Sequence, residues 1–228
     1  MKRVAIHQPN YFPWMGYFAK VARADAFVFL DDVAYQSGNA TSVTNRAKVK
    51  TAAGPHLLSV PVARAASGLI CDMGIDNTQA WARKHLDTIR FAYARSPYFA
   101  EVYAIVQGVV GTVRDRLAVL NRQSVSAVCE YLDIRTPMVD SSRLSIASRE
   151  KNLRIVEICG RLEATHYLSG SGARSYNDEG LFASRGLTIE YTAFQCPQYP
   201  QLHGDFVPNL SILDALFNCG RDARRLLT

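Results

Sequence analysis

A proline-stiffened loop between a short strand and a helix is the feature that most constrains the fold. Residues 4–7 predict a buried strand, and residues 8–13 cannot extend it because they include two prolines. Apolar residues then recur at helical spacing over residues 14–22, and residues 26–30 form a continuous apolar run. Such a run is typical of a strand covered on both faces, as in a parallel sheet. The segment therefore predicts a β-loop-α-β unit, the building block of α/β folds.

The rest of the chain continues to alternate predicted strands with predicted helices. Further strands are predicted at residues 43–50, 57–62, 136–140, 166–168 and 187–191. Helices are predicted at residues 78–93, 98–113, 114–132, 150–162 and 179–184, and the second and third of these could equally be one bent helix. The alternation predicts an α/β fold with a mainly parallel sheet flanked by helices, and a helical insertion at roughly residues 78–133. No linker-like segment divides the 228 residues, so we expect a single domain.

Composition narrows the classes of function. The chain is 48% hydrophobic and 20% charged, as expected for a globular protein, and its net charge is +6. Lysines and arginines are scattered among acids, which argues against nucleic acid as a partner and favours a small anionic substrate. The five cysteines form no C-x-x-C pair, so we expect neither a zinc site nor a disulfide framework. Without a signal peptide or a membrane-spanning run, we expect a cytoplasmic protein that does not contact membranes.

The first predicted strand ends at a histidine, and open α/β sheets bind ligands at the carboxyl ends of their strands. We interpret His7 as a general base, because histidine titrates near neutral pH. Gln8 and Asn10 follow in the stiff loop and offer amide groups to a substrate, and Tyr11 and Trp14 are further candidates for substrate binding. The alternative is a buried histidine that is hydrogen-bonded at a strand end, followed by a loop that only caps the next helix.

Two adjacent acids, Asp31 and Asp32, follow the second predicted strand. Either could act as a base or hold a metal ion together with a substrate phosphate. Adjacent acids after a strand are equally typical of a solvated turn. Since side chains alternate along a strand, we expect one carboxylate to point inward and the other outward.

A loop of small residues follows the strand predicted at residues 166–168. Its members Ser169, Gly170, Ser171 and Gly172 expose backbone N–H groups that could bind an anion, although they match no Walker A or dinucleotide-binding motif. Tyr176 lies close enough in sequence to reach the same place. If the strands before His7, Asp31 and this loop are parallel neighbours, their ends converge on one edge of the sheet.

Two further groups of residues are candidates for substrate binding. Asn45, Arg46 and Lys48 alternate with small or apolar residues, so that Arg46 and Lys48 share one strand face and could bind carboxylate or phosphate. A solvated strand face is the alternative. Tyr199 and Gln201 belong to a polar, turn-rich segment that holds several aromatic residues.

Four other residues near the end of the chain are treated separately. We interpret Ser211 as the N-cap of the last helix, with Asp214 completing a capping box, which removes both from the catalytic candidates. His203 stays open as a site residue. Cys196 is interpreted as a small buried side chain or as a nucleophile close to a histidine.

Seven segments, in order along the chain, resemble proteins of the WbqC-like family. They are residues 7–20 (HQPNYFPWMGYFAK), 30–33 (LDDV), 45–48 (NRAK), 60–61 (VP), 92–99 (AYARSPYF), 164–170 (ATHYLSG) and the segment from residue 199 to residue 214. The resemblance implies a bacterial enzyme of surface-polysaccharide, such as O-antigen, or specialised-metabolite biosynthesis, in a setting where sugars are decorated with amino-acid-like groups. Residues 36–41 depart from the family pattern, because they lack the basic and aromatic residues expected there.

Three functions remain open from the sequence. The first is transfer of an acyl or aminoacyl group to an amino sugar or a similar acceptor, with His7 as base and Asp32 orienting His7 or the acceptor. Gln8, Asn10 and residues 169–172 would donate hydrogen bonds to the developing oxyanion, and Arg46 and Lys48 would hold an anionic donor. The second is adenylyl or nucleotidyl transfer with Mg²⁺ on Asp31 or Asp32, since the first residues are similar to nucleotidyltransferase-like (HUP-like) folds, although their histidine pair is absent. The third is a non-catalytic subunit that binds a protein partner through aromatic residues, namely Tyr11, Trp14 and Tyr98. The sequence leaves any cofactor undetermined.

Overall fold

Five of the nine strands form a central, entirely parallel sheet in the computed structural model, which describes residues 1–36, 43–63 and 65–228. In chain order the strands are β1 (Arg3–His7), β2 (Ala26–Phe29), β3 (Arg46–Thr51), β4 (Gly54–Ser59), β5 (Val62–Ala63), β6 (Gly74–Ile75), β7 (Met138–Asp140), β8 (His166–Gly170) and β9 (Thr188–Thr192). The central sheet has the order β7-β2-β1-β8-β9. The chain moves outward from β1 through β2 to β7, then returns to the other side of β1 for β8 and β9. The direction of winding therefore reverses between β1 and β8.

Helices cover both faces of this sheet. They are α1 (Met15–Arg23), α2 (Trp81–Tyr93), α3 (Phe99–Val110), α4 (Leu117–Tyr131), α5 (Lys151–Arg161), α6 (Glu179–Ser184) and α7 (Ile212–Cys219). The sheet residues alternate between two cores, as the pleat requires. Ala5 belongs to the larger core with α1 to α4 and α7, whereas Val4 and Ile6 belong to the smaller core with α5 and α6. The predicted α/β class, with a mainly parallel sheet flanked by helices, is confirmed.

The strands predicted at residues 43–50 and 57–62 lie outside the central sheet. They form an antiparallel hairpin of β3 and β4, each shifted from its predicted bounds, with Arg46 paired to Ser59. Gly54 adopts a φ of 100° at the turn, a conformation that glycine tolerates best. The alternating pattern of residues 46–51 correctly indicates a strand but carries no information about its partner.

The region between residues 78 and 133 contains three separate helices. The sequence left open whether α3 and α4 form one bent helix, because no strong breaker stands between them. The structure separates them by pairing the connecting segment with β6: the Ile75 N–H donates to the Asp115 carbonyl (3.0 Å), and the Leu117 N–H to the Met73 carbonyl (2.9 Å). A tertiary contact, not local propensity, ends α3 and starts α4. Among the helices of the described residues, none is long and apolar enough to cross a membrane.

Candidate functional site

A cavity of about 350 Å³ opens at the carboxyl ends of β1 and β8, where the winding of the sheet reverses. In open α/β sheets this position is the usual ligand crevice. One wall comes from the end of β1 and from α1, and the other from β8, β9 and the loop after β8. The lining residues include His7, Trp14, Gly16, Tyr17, Lys20, Ser169, Gly170, Ser171, Gly172, Tyr176, Thr192 and Phe194. The structure thus brings His7 and the small-residue loop together in one crevice.

His7 is held in a defined protonation state. Its Nδ1 lies 3.0 Å from the backbone oxygen of Gln8. Because a carbonyl oxygen only accepts, Nδ1 must carry the proton and Nε2 keeps a lone pair. Burial lowers the pKa of His7 to about 3, the positive charge of Lys20 adds to this, and the bond to Gln8 partly opposes it. The imidazole therefore stays neutral at physiological pH, and Nε2 is available to accept a hydrogen bond or a proton.

Lys20 is the residue of this crevice that the sequence analysis missed as a site residue. It is only 6% exposed, and its Nζ donates to the backbone oxygen of Ile6 at 3.2 Å. The ion pairs among the described residues do not include Lys20, and the undescribed residues, 37–42 and 64, contain no carboxylate side chain. Burial lowers the pKa of Lys20 to about 8. The sequence contains one signal for this burial, because Lys20 shares the apolar face of α1 with Tyr17 and Val21.

Trp14 forms a partition between this crevice and a second cavity of about 310 Å³. Its indole meets Phe194 edge-on, with ring centroids 5.6 Å apart. The second cavity is lined by Phe12, Pro13, Trp14, Val43, Arg46, Ala47, Lys48, Asn209 and Ser211. Arg46 and Lys48, predicted to bind an anion, therefore line the second cavity, whereas His7 lines the crevice.

The four small residues predicted as a loop are divided in the structure: Ser169 and Gly170 are the last residues of β8, and Ser171 and Gly172 begin a 3-10 turn. The hydroxyl of Ser169 is fully buried and accepts a hydrogen bond from Nδ2 of Asn177 at 3.1 Å. Tyr176 is 49% exposed at the mouth of the crevice, and the Nζ of Lys151 lies 3.0 Å from the centroid of its ring. Gly170 and Ser171 line the crevice between them. The loop thus has one buried anchor and a mouth open to solvent.

Comparison with known proteins covers nearly the whole chain. The model of the WbqC-like protein family matches residues 8–226. The chain belongs to the WbqC-like family. A relative, the uncharacterized protein Rv1507c of Mycobacterium tuberculosis, is 36% identical over 229 aligned residues, which cover 98% of this chain and 96% of the relative. No solved structure matches the chain.

In this WbqC-like protein the two aspartates after β2 are held by structural partners. Asp32 forms a short ion pair with Arg154 and accepts a hydrogen bond from Ser141. Asp31 accepts hydrogen bonds from Ser142, from its N–H at 2.9 Å and from its hydroxyl at 2.8 Å. The interpretation of Asp32 as the group that orients His7 therefore needs correction, because its carboxylate is directed to Arg154. Within residues 1–36, 43–63 and 65–228, no cluster of three His, Cys, Asp or Glu side chains could hold a metal ion.

Three other predicted substrate ligands of the WbqC-like chain lie inside the fold. Tyr11 is fully buried, and its hydroxyl lies 3.1 Å from Nδ1 of His85. Asn10 is 3% exposed, and Asn45 donates from Nδ2 to the backbone oxygen of Val60 at 2.8 Å. Direct contact of Tyr11, Asn10 or Asn45 with a substrate is thus corrected to a role in shaping the loop and the hairpin. Gln8 contributes its backbone oxygen, which accepts from both His7 and the Tyr17 hydroxyl.

Gln201 belongs to a buried polar network rather than to either cavity. The Nζ of Lys50, a residue only 2% exposed, donates to Oε1 of Gln201 at 3.2 Å and to the backbone oxygen of Asp205 at 2.5 Å. Nε2 of the Gln201 amide donates to the Val207 carbonyl at 3.0 Å. Tyr199 is 8% exposed and packs edge-on against Phe206. Substrate binding by Tyr199 and Gln201 is corrected to fixing the segment before α7.

Four predictions remain, three for single positions and one for a segment. His203 has its Nε2 2.7 Å from the Ala92 carbonyl, so it anchors its turn to α2. Cys196 is half-buried and bonds weakly to the Pro197 carbonyl at 3.7 Å. Ser211 does cap α7, because its hydroxyl accepts from the Leu213 N–H. The departure from the family pattern at residues 36–41 falls, apart from residue 36, outside the described residues.

Proposed function

We propose that this protein is a transferase that moves an acyl or aminoacyl group to the amino group of a small anionic molecule in the crevice between β1 and β8. Lys20 is the observation that carries the proposal. Taking an ammonium group out of water is costly unless an opposite charge accompanies it, and no ion pair within the described residues supplies one to the buried Lys20. A carboxylate or phosphate of the substrate would provide the missing charge. The family resemblance suggests an amino sugar of surface-polysaccharide or specialised-metabolite biosynthesis as the acceptor.

His7 would take up the proton released by the acceptor amine. The amine nitrogen forms a bond to the acyl carbon, the bond from that carbon to the leaving group breaks, and the amine proton passes to Nε2 of His7. A free-site pKa of about 3 makes His7 a weak base; burial is the larger cause of this low pKa, and the charge of Lys20 is the smaller one. An anion paired with Lys20 cancels that contribution and so raises the pKa of His7. Substrate binding would therefore strengthen the base that the reaction requires.

The loop after β8 would stabilise the oxygen anion that develops on the acyl carbon. Ser171 and the backbone of Gly170 and Gly172 line the same crevice as His7. Donors fixed in advance stabilise a developing oxyanion more than mobile water does, because no reorganisation is needed during the reaction. Residues 169–172 are thus proposed as hydrogen-bond donors to the oxyanion, as predicted from the sequence, whereas the buried Asn10 is no longer proposed as one.

Nucleotidyl transfer with Mg²⁺ on Asp31 or Asp32 receives less support. Both carboxylates already accept hydrogen bonds from Ser141 or Ser142, and Asp32 is paired with Arg154. A metal ion there would have to displace these partners. The reversal of winding beside β1 is compatible with a nucleotidyltransferase-like fold, but fold alone does not determine the reaction. A non-catalytic, partner-binding role would leave the buried charge of Lys20 unexplained.

Binding and turnover test the proposal separately. Amino-sugar phosphates are titrated into the wild type, Lys20→Met and the control Lys84→Met, which removes an exposed lysine of α2. We expect Lys20→Met to bind about tenfold more weakly or worse, because a charge-assisted hydrogen bond is lost. Acyl phosphates and acyl thioesters are then offered as donors, with the mass of the acceptor as readout. His7→Asn should retain binding and lose turnover. Unchanged affinity in Lys20→Met would overturn the proposal.

A further inference from the structure

The second cavity is a built recess rather than a surface groove. Its floor joins the loop before α1, strand β3 and the segment before α7 through backbone bonds. The Ser211 N–H donates to the Lys48 carbonyl at 2.7 Å, and the Ile212 N–H donates to the Pro13 carbonyl at 2.9 Å. Phe12 holds a φ of 37°, rare for a bulky residue, and its N–H donates to Ser124 Oγ at 3.1 Å. The shape of the recess is therefore fixed by contacts from four parts of the chain.

The charges of this recess lack partners. Arg46 and Lys48 form no ion pair among the described residues, and the undescribed residues carry no acid. The Nε of Arg46 is buried and has no hydrogen-bond acceptor within the described part of the chain. A buried guanidinium donor without an acceptor is rare and costly in native proteins. An oxyanion in the recess would satisfy it.

Most of the remaining lining of the recess is apolar, with Asn209 and Ser211 as its polar members. Phe12, Pro13, Trp14, Val43 and Ala47 surround the two cationic side chains. A mostly apolar lining with a small number of polar or charged groups is typical of small-molecule sites, and about 310 Å³ is at the lower end of their usual volume. The lining therefore matches a phosphate that is attached to a planar or otherwise apolar body.

We infer that this recess is a second subsite, which binds the phosphate-bearing donor of the transfer while the crevice beside His7 binds the acceptor. That the recess binds an anion is independent of the proposed function, whereas the identity of this anion as the donor rests on it. Trp14 contacts both cavities, so it would separate the two bound molecules and touch each. The structure thus provides two anion sites, one on each side of a single indole.

The chain offers a direct reporter of both sites, because it has two tryptophans. Trp81 lies on α2 and lines neither cavity, so Trp81→Phe leaves Trp14 as the only indole. In that background the fluorescence of Trp14 is followed during titration with phenyl phosphate, which combines a phosphate with a planar apolar body. Inorganic phosphate and phosphopantetheine are the comparison probes, and glucosamine 6-phosphate is the probe for the crevice.

We expect phenyl phosphate to bind about tenfold more weakly to Arg46→Met and to Lys48→Gln, and with unchanged affinity to Lys20→Met and the control Lys84→Met. Glucosamine 6-phosphate should bind more weakly to Lys20→Met and with unchanged affinity to Arg46→Met, Lys48→Gln and Lys84→Met. Circular dichroism checks the fold, and if Arg46→Met does not fold, Lys48→Gln decides. Equal phenyl phosphate affinity in wild type and Lys48→Gln would overturn the second subsite. If glucosamine 6-phosphate binds Lys20→Met as tightly as the wild type while the phenyl phosphate results are as expected, the proposed function is overturned and the second subsite is still supported.

Discussion

The indole of Trp14 covers the α-carbon of Gly16. A Cβ at Gly16 would lie 2.3 Å from Cη2 and 2.4 Å from Cζ2 of that indole, well inside van der Waals contact. Only glycine leaves room for the ring at the start of α1, so the position of the partition between the two cavities depends on a missing side chain.

Gly16→Ala should displace the indole of Trp14 and weaken ligand binding in both cavities. The collision involves the rigid ring system, and the fluorescence of Trp14 in the Trp81→Phe background would report its movement. Gly108→Ala is the matched control, because Gly108 also lies in a helix and a Cβ there meets nothing within 4 Å. We expect that control to gain roughly 0.5–1 kcal/mol of stability, since alanine favours helix more than glycine does. An unmoved Trp14 signal in Gly16→Ala would contradict the packing described here.

Anion binding in the crevice should depend on pH through Lys20. Its pKa of about 8 lies below that of an ordinary lysine, so the free site loses its positive charge as the pH rises through 8. Affinity for a substrate anion should be constant below that pH and fall by about tenfold per pH unit above it. Lys20→Arg keeps the charge and should show no such fall. Calorimetric titration between neutral and alkaline pH measures the affinity of the wild type and of Lys20→Arg for the anion. If the two affinities change with pH in the same way, Lys20 is not the anion-binding group.

The ion pair of Asp32 and Arg154 should contribute to stability rather than to turnover. Both side chains are largely buried, and removal of one partner from a buried pair costs about 3–5 kcal/mol because the other charge stays behind. Urea unfolding of Arg154→Met and Asp32→Asn measures this cost. The exposed pair of Arg135 and Asp133 is the control, and Arg135→Ala should unfold as the wild type does. A folded, fully stable Asp32→Asn that lacks turnover would restore a catalytic role to Asp32.

His85 should make the protein less stable in acid. Burial lowers its pKa to about 4, with the Ser59 carbonyl opposing this, so between pH 6.5 and 4 the unfolded chain binds a proton that the folded chain does not. The free energy of unfolding contributed by His85 then decreases by at most about 1.4 kcal/mol per pH unit as the pH falls through that range. His7 acts in the same direction, so the quantity to measure is the difference between wild type and His85→Gln. A difference independent of pH would contradict this.

The sequence predicted the sheet and the location of the crevice for clear physical reasons. Apolar runs such as residues 26–30 reveal a buried strand locally, and the rule that ligands bind at carboxyl ends of parallel strands applies wherever the order reverses. Whether His7 and the loop after β8 would face each other depended on strand order, which no local pattern contains. β1 and β8 are adjacent although 163 residues separate Val4 from its partner Tyr167.

Burial explains what the sequence could not reveal. Lysine on a helix is normally solvated, so the place of Lys20 on the apolar face of α1 was only a weak signal that it lies inside the protein. Tyr11 and Gln201 looked like ligand-binding groups because they carry polar atoms in a loop. Their hydrogen bonds are instead consumed by His85 and Lys50, which lie 74 and 151 residues away along the chain.

The late pairing of β1 with β8 has a consequence for how the molecule is made. β1, α1 and β2 leave the ribosome early, and the backbone N–H and C=O groups along one edge of β1 then have no neighbouring strand until residues 166–170 are synthesised. Closing such a long loop is slow, and an unpaired strand edge is where nascent chains associate wrongly. The crevice comes into existence only at this closing step. A ligand that contacts both of its walls would therefore slow the opening of the sheet at β1 and β8, and protect this seam from local unfolding.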